Sequence, residues 1–177
     1  MAARSMLEEG YKAPADTEII AWKKRLYRLA KSDDPIEITK AAAVASSPLD
    51  RLGAVLYSGS VPLARIASAG DASKRSWAIS GAAGMYLPSP GETLPAVTIL
   101  WSEAPKAVTQ LLAETDLVQT HRRDRAALAV IGAEPELFTD SFSRGIIQYA
   151  APIQIIIDCL AQGGDVAEDA MKEAMSW

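Results

Sequence analysis

The closing stretch Gly145–Trp177 constrains the fold more than any other part of the chain. Residues 146–149 are a short β-prone run, and Pro152 then stands where its missing N–H costs nothing in the first turn of a helix. Nearly every residue from there to Gln162 is apolar. This composition predicts a strand followed by a buried helix.

A second closing helix is predicted directly after the first. Gly163 and Gly164 supply the left-handed backbone that ends a helix, and Asp165 can cap the next one. The apolar residues of this helix share one stripe, so we expect it to pack by one face. That stripe consists of Val166, Ala167, Ala170, Met171, Ala174 and Met175, whereas Glu168, Asp169, Lys172 and Glu173 form the polar side. Together these elements form a scaffold that can bury the preceding strands.

The chain length of 177 residues fits one full domain, or a small domain beside a medium one. We expect two unequal parts in an α/β (α+β) protein. Residues 1–72 would form a small helical, winged-helix-like part, and residues 73–177 an α/β domain with a mixed sheet and the two closing helices. No apolar run approaches membrane-spanning length, and Glu8 and Glu9 stand where a signal peptide needs an apolar core. A cytoplasmic protein is therefore expected.

The net charge of −4 and the pI near 5.1 exclude a strongly basic field around the whole molecule. Any contact with nucleic acid must come from a local basic patch. The first patch lies on a predicted helix that Asp16 caps and that continues to Lys31. Its cations are either a solvated helix face or contacts to a phosphate backbone. The residues concerned are Lys23, Lys24, Arg25 and Arg28.

Three further short helices with tight turns are expected before residue 70. Apolar residues at helical spacing favour helices over residues 38–45, 49–56 and 63–67. A winged-helix DNA reader uses such a set, as does any small helical subdomain. In the second helix Arg51 is the candidate for reading bases. Residues 70–75 turn to Gly, Asp, Ser, Lys and Arg, which is typical of a linker.

The sequence pattern of the second half of the chain predicts strands and helices in alternation. Strands are predicted over residues 76–79, 97–101, 117–120 and 127–131, and a helix begins at Pro105. The small residues of SGAAG would let a helix lie close against the sheet. The continuous apolar run of residues 127–131 implies burial on both faces.

The second basic patch follows the strand of residues 117–120 and reads HRRDR. It is either an exposed turn or a contact to phosphates through Arg122, Arg123 and Arg125. His121 is the single histidine, and its arginine neighbours disfavour its protonated form, so a catalytic role is not expected. The single cysteine, Cys159, lies in the apolar helix and is expected to be inert core.

Nucleotide and metal sites lack their usual residues. The chain has no Walker-type or dinucleotide-binding glycine motif, so no cofactor is expected. A nucleotidyltransferase would carry two acids, one residue apart, on the strand after the SGxxG-like turn, where both can chelate Mg²⁺. The strand VTILW has none. Glu103 and Asp158 are single carboxylates, which we expect to be surface or capping groups and not a metal site.

Three runs in the second half, WAISGAAGMYL, VTILW and YAAPIQIIIDCLAQGGDVAEDAMKEAM, resemble the C-terminal domain of the AbiEi family, the antitoxins of type IV toxin–antitoxin systems. Asp165 and Cys159 depart from that pattern, where Arg and Leu are usual. The resemblance covers about 100 residues, and the final run is its most specific part. The matching residues are Trp77, Gly81, Ala82, Ala83, Pro152, Gln154, Asp158, Leu160, Gly163, Gly164, Glu168 and Ala170.

The resemblance implies a winged helix-turn-helix that binds promoter DNA and represses its own operon. It also implies a partner, a nucleotidyltransferase-like toxin, and no enzymatic activity in the antitoxin. Two alternatives stay open. The chain could be a protein-interaction module without DNA binding that has a degenerate transferase-like fold and contacts a partner through its acidic closing helix. It could also be a divergent nucleotidyltransferase.

Overall fold

The computed structural model describes residues 48–94 and 97–175, the last two of these for their backbone only. The predicted basic helix ending at Lys31 and the predicted helix of residues 38–45 lie outside the described residues.

Seven strands and five helices make up the described fold. The strands are β1 (Val55–Ser58), β2 (Trp77–Gly81), β3 (Thr98–Ser102), β4 (Val118–Thr120), β5 (Leu128–Gly132), β6 (Phe142–Arg144) and β7 (Ile147–Tyr149). The helices are α1 (Leu63–Ala72), α2 (Ala82–Tyr86), α3 (Pro105–Leu112), α4 (Pro152–Gln162) and α5 (Gly164–Met175). Short 3-10 turns cover Pro48–Asp50, Arg123–Arg125 and Pro135–Phe138.

All seven strands belong to one mixed sheet with the order β4-β1-β5-β3-β2-β7-β6. Strand β3 runs parallel to β5, and β2 runs parallel to β7. The remaining neighbours are antiparallel. The expected α/β class with a mixed sheet is therefore confirmed.

The two faces of the sheet bury different sets of side chains, because successive residues of a strand point to opposite faces. On one face Tyr57, Leu100 and Val130 belong to a large cluster that includes apolar residues of α1 and α3. On the other face Trp101 and Ile131 belong to a smaller cluster, against which Leu49 of the first 3-10 turn packs.

The closing elements are confirmed: strand β7 leads into α4, which begins at Pro152 and ends at Gln162, and α5 follows after Gly163. The polar side of α5 differs in one respect from the expectation. Glu173 is buried, with 7% of its surface exposed.

Two predictions for residues before β2 are wrong. Val55–Ser58 is a strand and not part of a second short helix, because it pairs with β4 on one side and with β5 on the other. Residues 70–72 are the last turn of α1 and not a linker, and Gly70 packs so tightly on Trp77 that a Cβ atom there would lie 2.4 Å from the indole ring. Strand β1 and helix α1 thus share the sheet and core with residues beyond 73.

The predicted strands and helix of the second half match β2 to β5 and α3 in position. The stretch of residues 134–144, expected to be irregular, contains a 3-10 turn and the edge strand β6. Within the described ranges, no helix combines the length and apolar character needed to cross a membrane.

Candidate functional site

A fully buried carboxylate lies between α4 and the sheet. Asp158 has 1% of its surface exposed. Its Oδ2 accepts hydrogen bonds from Ser80 Oγ at 2.6 Å and from Trp101 Nε1 at 2.8 Å. Its Oδ1 accepts from Gln154 Nε2 at 2.8 Å. Three donors therefore satisfy both oxygens of the carboxylate, as a buried polar group requires.

The secondary structure explains why these side chains meet. Gln154 and Asp158 are four residues apart on α4, so they lie on one face of the helix. In the antiparallel pair of β2 and β3, Trp101 stands opposite Ala78. Ser80 is two residues beyond Ala78 and so faces the same side of the sheet. Helix α4 covers that side and brings the carboxylate to both donors.

Burial controls the proton affinity of this site. Loss of hydration raises the pKa of Asp158 to about 6, and the hydrogen bonds from Ser80, Trp101 and Gln154 oppose that rise only in part. The positive charge of Arg51 also lowers this pKa. The Arg51 guanidinium lies over the Trp101 ring, with Cζ 4.7 Å from the ring centroid, in a cation–π contact.

Asp158 corrects an expectation, because a surface or capping group was predicted at this position. Its burial could have been suspected from the sequence, since it is surrounded by apolar residues of α4 and has Gln154 four residues before it. Ser80 and Trp101 were not identified as its partners. Glu103, the other single carboxylate, accepts a hydrogen bond from the backbone N–H of Ser76 at 3.0 Å. Hydrogen bonding by the Ser76 side chain, and then by its backbone N–H, lowers the pKa of Glu103.

The small residues after β2 allow α2 to pack closely on α4. A Cβ atom on Gly84 would come within 2.9 Å of the Ile155 side chain. Gly81 has a φ of 69°, and a Cβ atom there would lie 2.6 Å from the carbonyl oxygen of Val97 and 3.2 Å from Nε2 of Gln162. The turn after β2 and helix α2 therefore pack closely against β3 and helix α4.

Four arginines predicted to contact DNA lie in two adjoining segments, and we name them the arginine surface: Arg51, Arg122, Arg123 and Arg125. Arg123 Nη1 binds Asp50 Oδ1 at 2.8 Å, which joins the basic turn to the segment that contains Arg51. Arg122 Nη2 binds Asp124 Oδ2 at 2.7 Å. The members of both ion pairs are at least half exposed.

The other residues predicted to contact DNA, Lys23, Lys24, Arg25 and Arg28, lie outside the described ranges. His121 is exposed beside the basic turn. Cys159 is buried, and burial together with the charge of Asp158 raises the pKa of its thiol. It stays a neutral thiol in the core, as expected from its position.

Residues 48–94 and 97–175 contain no candidate metal site. These residues contain no group of three His, Cys, Asp or Glu side chains that could hold an ion. Strand β3 presents buried Thr98 and Ser102 near its ends, and its remaining residues are apolar. Strand β3 is therefore a buried part of the sheet that carries no carboxylate.

The chain was compared with family models, with curated proteins and with solved structures, and none of them matched.

Proposed function

We propose that the chain is a non-enzymatic, antitoxin-like transcriptional regulator that binds operator DNA and opposes a nucleotidyltransferase-like toxin. The observation that carries the proposal is the ion pair between Asp50 and Arg123. It joins the end of the N-terminal part to the basic turn, so that cations distant in sequence adjoin on one side of the molecule. Contact with a continuous phosphate backbone requires such an arrangement.

The balance of charge on this side favours an anionic partner. The arginine surface contains four arginines, and the two aspartates paired with it are Asp50 and Asp124, so these six residues carry two excess positive charges in a chain of net charge −4. Ion pairs this exposed contribute little to stability. Phosphates can therefore compete with Asp124 for Arg122 at small cost.

The use of the carboxylates in the described residues argues against Mg²⁺-dependent nucleotidyl transfer, which supports a non-enzymatic role. A two-carboxylate Mg²⁺ site needs oxygens that are free to coordinate the ion. Both oxygens of Asp158 accept hydrogen bonds from protein donors, and strand β3 carries no acid.

A second candidate function is a protein-interaction module without DNA binding. It is favoured by Arg51, whose guanidinium already stacks on Trp101. The acidic helix α5 supplies a surface for a partner, although Asp169 is partly engaged, because it accepts a hydrogen bond from Tyr86 Oη at 2.9 Å. Exposed Asp165 and Glu168 remain on that helix. A stable complex with the toxin in the absence of salt-dependent DNA binding would favour this candidate.

The DNA proposal is tested by charge changes on the arginine surface, with fluorescence anisotropy against the DNA upstream of the chain's own gene. Arg125→Glu should weaken binding and lower the slope of log affinity against log salt by about one. Asp124→Asn should tighten binding, because it removes the acid that pairs with Arg122.

Lys106→Glu is the matched control, since Lys106 is an exposed cation on α3 and outside the arginine surface. If Arg125→Glu and Lys106→Glu reduce affinity equally, the effect comes from net charge alone, and the arginine surface does not contact DNA.

A further inference from the structure

We propose that residues 48–53 are a latch on the sheet that protonation of Asp158 loosens. The latch is held at several points. Pro48 is buried, and Leu49 packs against the smaller hydrophobic cluster. Asp50 is bound by Arg123, and Arg51 covers the Trp101 ring. This inference does not depend on the proposed function.

A continuous line of contacts runs from the latch to the buried carboxylate. Arg51 lies on the face of the Trp101 indole, and the indole N–H donates to Asp158 Oδ2. An ionised carboxylate on the N–H polarises the indole, which makes its face more attractive to a cation. It also attracts Arg51 directly across the ring. Both effects weaken when the carboxylate becomes neutral.

In the described part of the chain, Arg51 is the charged group close enough to Asp158 to respond when its carboxylate is protonated. Ser80 from β2, Trp101 from β3 and Gln154 from α4 are neutral donors. Cys159 is its neighbour on α4, and its thiol stays protonated because burial and Asp158 raise its pKa. Since burial raises the pKa of Asp158 to about 6, its charge changes within the range of mildly acidic solutions.

Linkage requires the coupling to act in both directions. Because Arg51 lowers the pKa of Asp158, protonation of Asp158 favours opening of the latch by the same factor by which Arg51 disfavours protonation. Opening of the latch releases residues 48–53 from the Trp101 ring and from the smaller hydrophobic cluster.

The first test is an NMR titration of the full chain that follows the indole N–H resonance of Trp101. In the wild type this resonance should shift with a midpoint near pH 6. Arg51→Met keeps the length of the stem and removes the charge, and it should raise the midpoint. Asp158→Asn should abolish the shift. Arg65→Met, which changes an exposed arginine on α1, is the matched control and should leave the midpoint unchanged.

The second measurement is hydrogen exchange of a peptide covering residues 48–56, corrected for intrinsic exchange rates. Wild-type protection should fall on going from neutral pH to pH values below the midpoint, by the factor that corresponds to the midpoint difference between wild type and Arg51→Met. Asp158→Asn should show no such change, and Arg51→Met should have reduced protection at every pH. A Trp101 resonance that does not titrate, a midpoint that Arg51→Met leaves in place, or pH-independent protection in the wild type would each overturn the latch.

Discussion

Replacing Asp158 with asparagine should change how the stability of the protein depends on pH. The pKa of Asp158 rises from 3.8 to about 6 on folding because the carboxylate loses its hydration. Between these two values the folded state binds a proton that the unfolded state has released. The free energy of unfolding therefore contains a contribution that is fully present below the unfolded pKa and is lost as the pH rises through the folded pKa.

The size of this contribution follows from the pKa change. One pKa unit corresponds to about 1.4 kcal/mol, so the ionised carboxylate costs on the order of 3 kcal/mol at neutral pH relative to the protonated one. Asparagine is neutral at every pH, and its oxygen can still accept from Ser80 and Trp101. Gln154 can turn its amide to offer its oxygen to the new amide group. Relative to wild type, Asp158→Asn should therefore gain on the order of 3 kcal/mol between about pH 4 and pH 7.

Urea denaturation followed by circular dichroism at several pH values measures this difference. Comparing the two proteins at each pH cancels the titration of all other groups. Asp116→Asn, which removes an exposed carboxylate, controls for the loss of one negative charge. A stability difference between Asp158→Asn and wild type that is the same at both ends of the range would refute the reasoning.

Two further predictions concern the packing and hydrogen bonding around this carboxylate. Gly84→Ala should destabilise the protein by about 1–3 kcal/mol in urea denaturation, because the new methyl group would press on Ile155, whereas Gly91→Ala, where nothing lies within 4 Å, should have little effect. Ser80→Ala should raise the pKa of Asp158 and cost about 1–2 kcal/mol, because the carboxylate loses its shortest hydrogen bond. The midpoint of the Trp101 indole titration measures the change in the pKa of Asp158 in Ser80→Ala, and an unchanged midpoint would contradict this prediction.

The parts of the fold that the sequence predicted well are those whose signals are local. Helix α4 combines an apolar run with Pro152 at one end and Gly163 at the other, and each of these acts within a few residues. The strand β5 was predicted because an apolar run of this length, buried on both faces, is typical of the interior of a sheet.

The errors arose where partners distant in sequence decide the structure. A spacing typical of a helix is shared by Leu49, Leu52, Val55 and Leu56. Pairing with β4 and β5 nevertheless makes Val55–Ser58 a strand. Asp158 looked like a surface group because Trp101 and Ser80 are 57 and 78 residues away from it. Gln154 lies four residues before Asp158 on the same helix, so it was the one partner that a local sequence pattern could indicate.

The proposal that the chain is a DNA-binding regulator is tested most directly by an anisotropy titration of the full chain against the DNA upstream of its own gene at two salt concentrations. The account predicts specific binding that weakens as salt increases, because the arginines displace counterions from the phosphates. No binding at low salt, or equal binding to unrelated DNA, would contradict the claim and leave the protein-interaction module as the function to pursue.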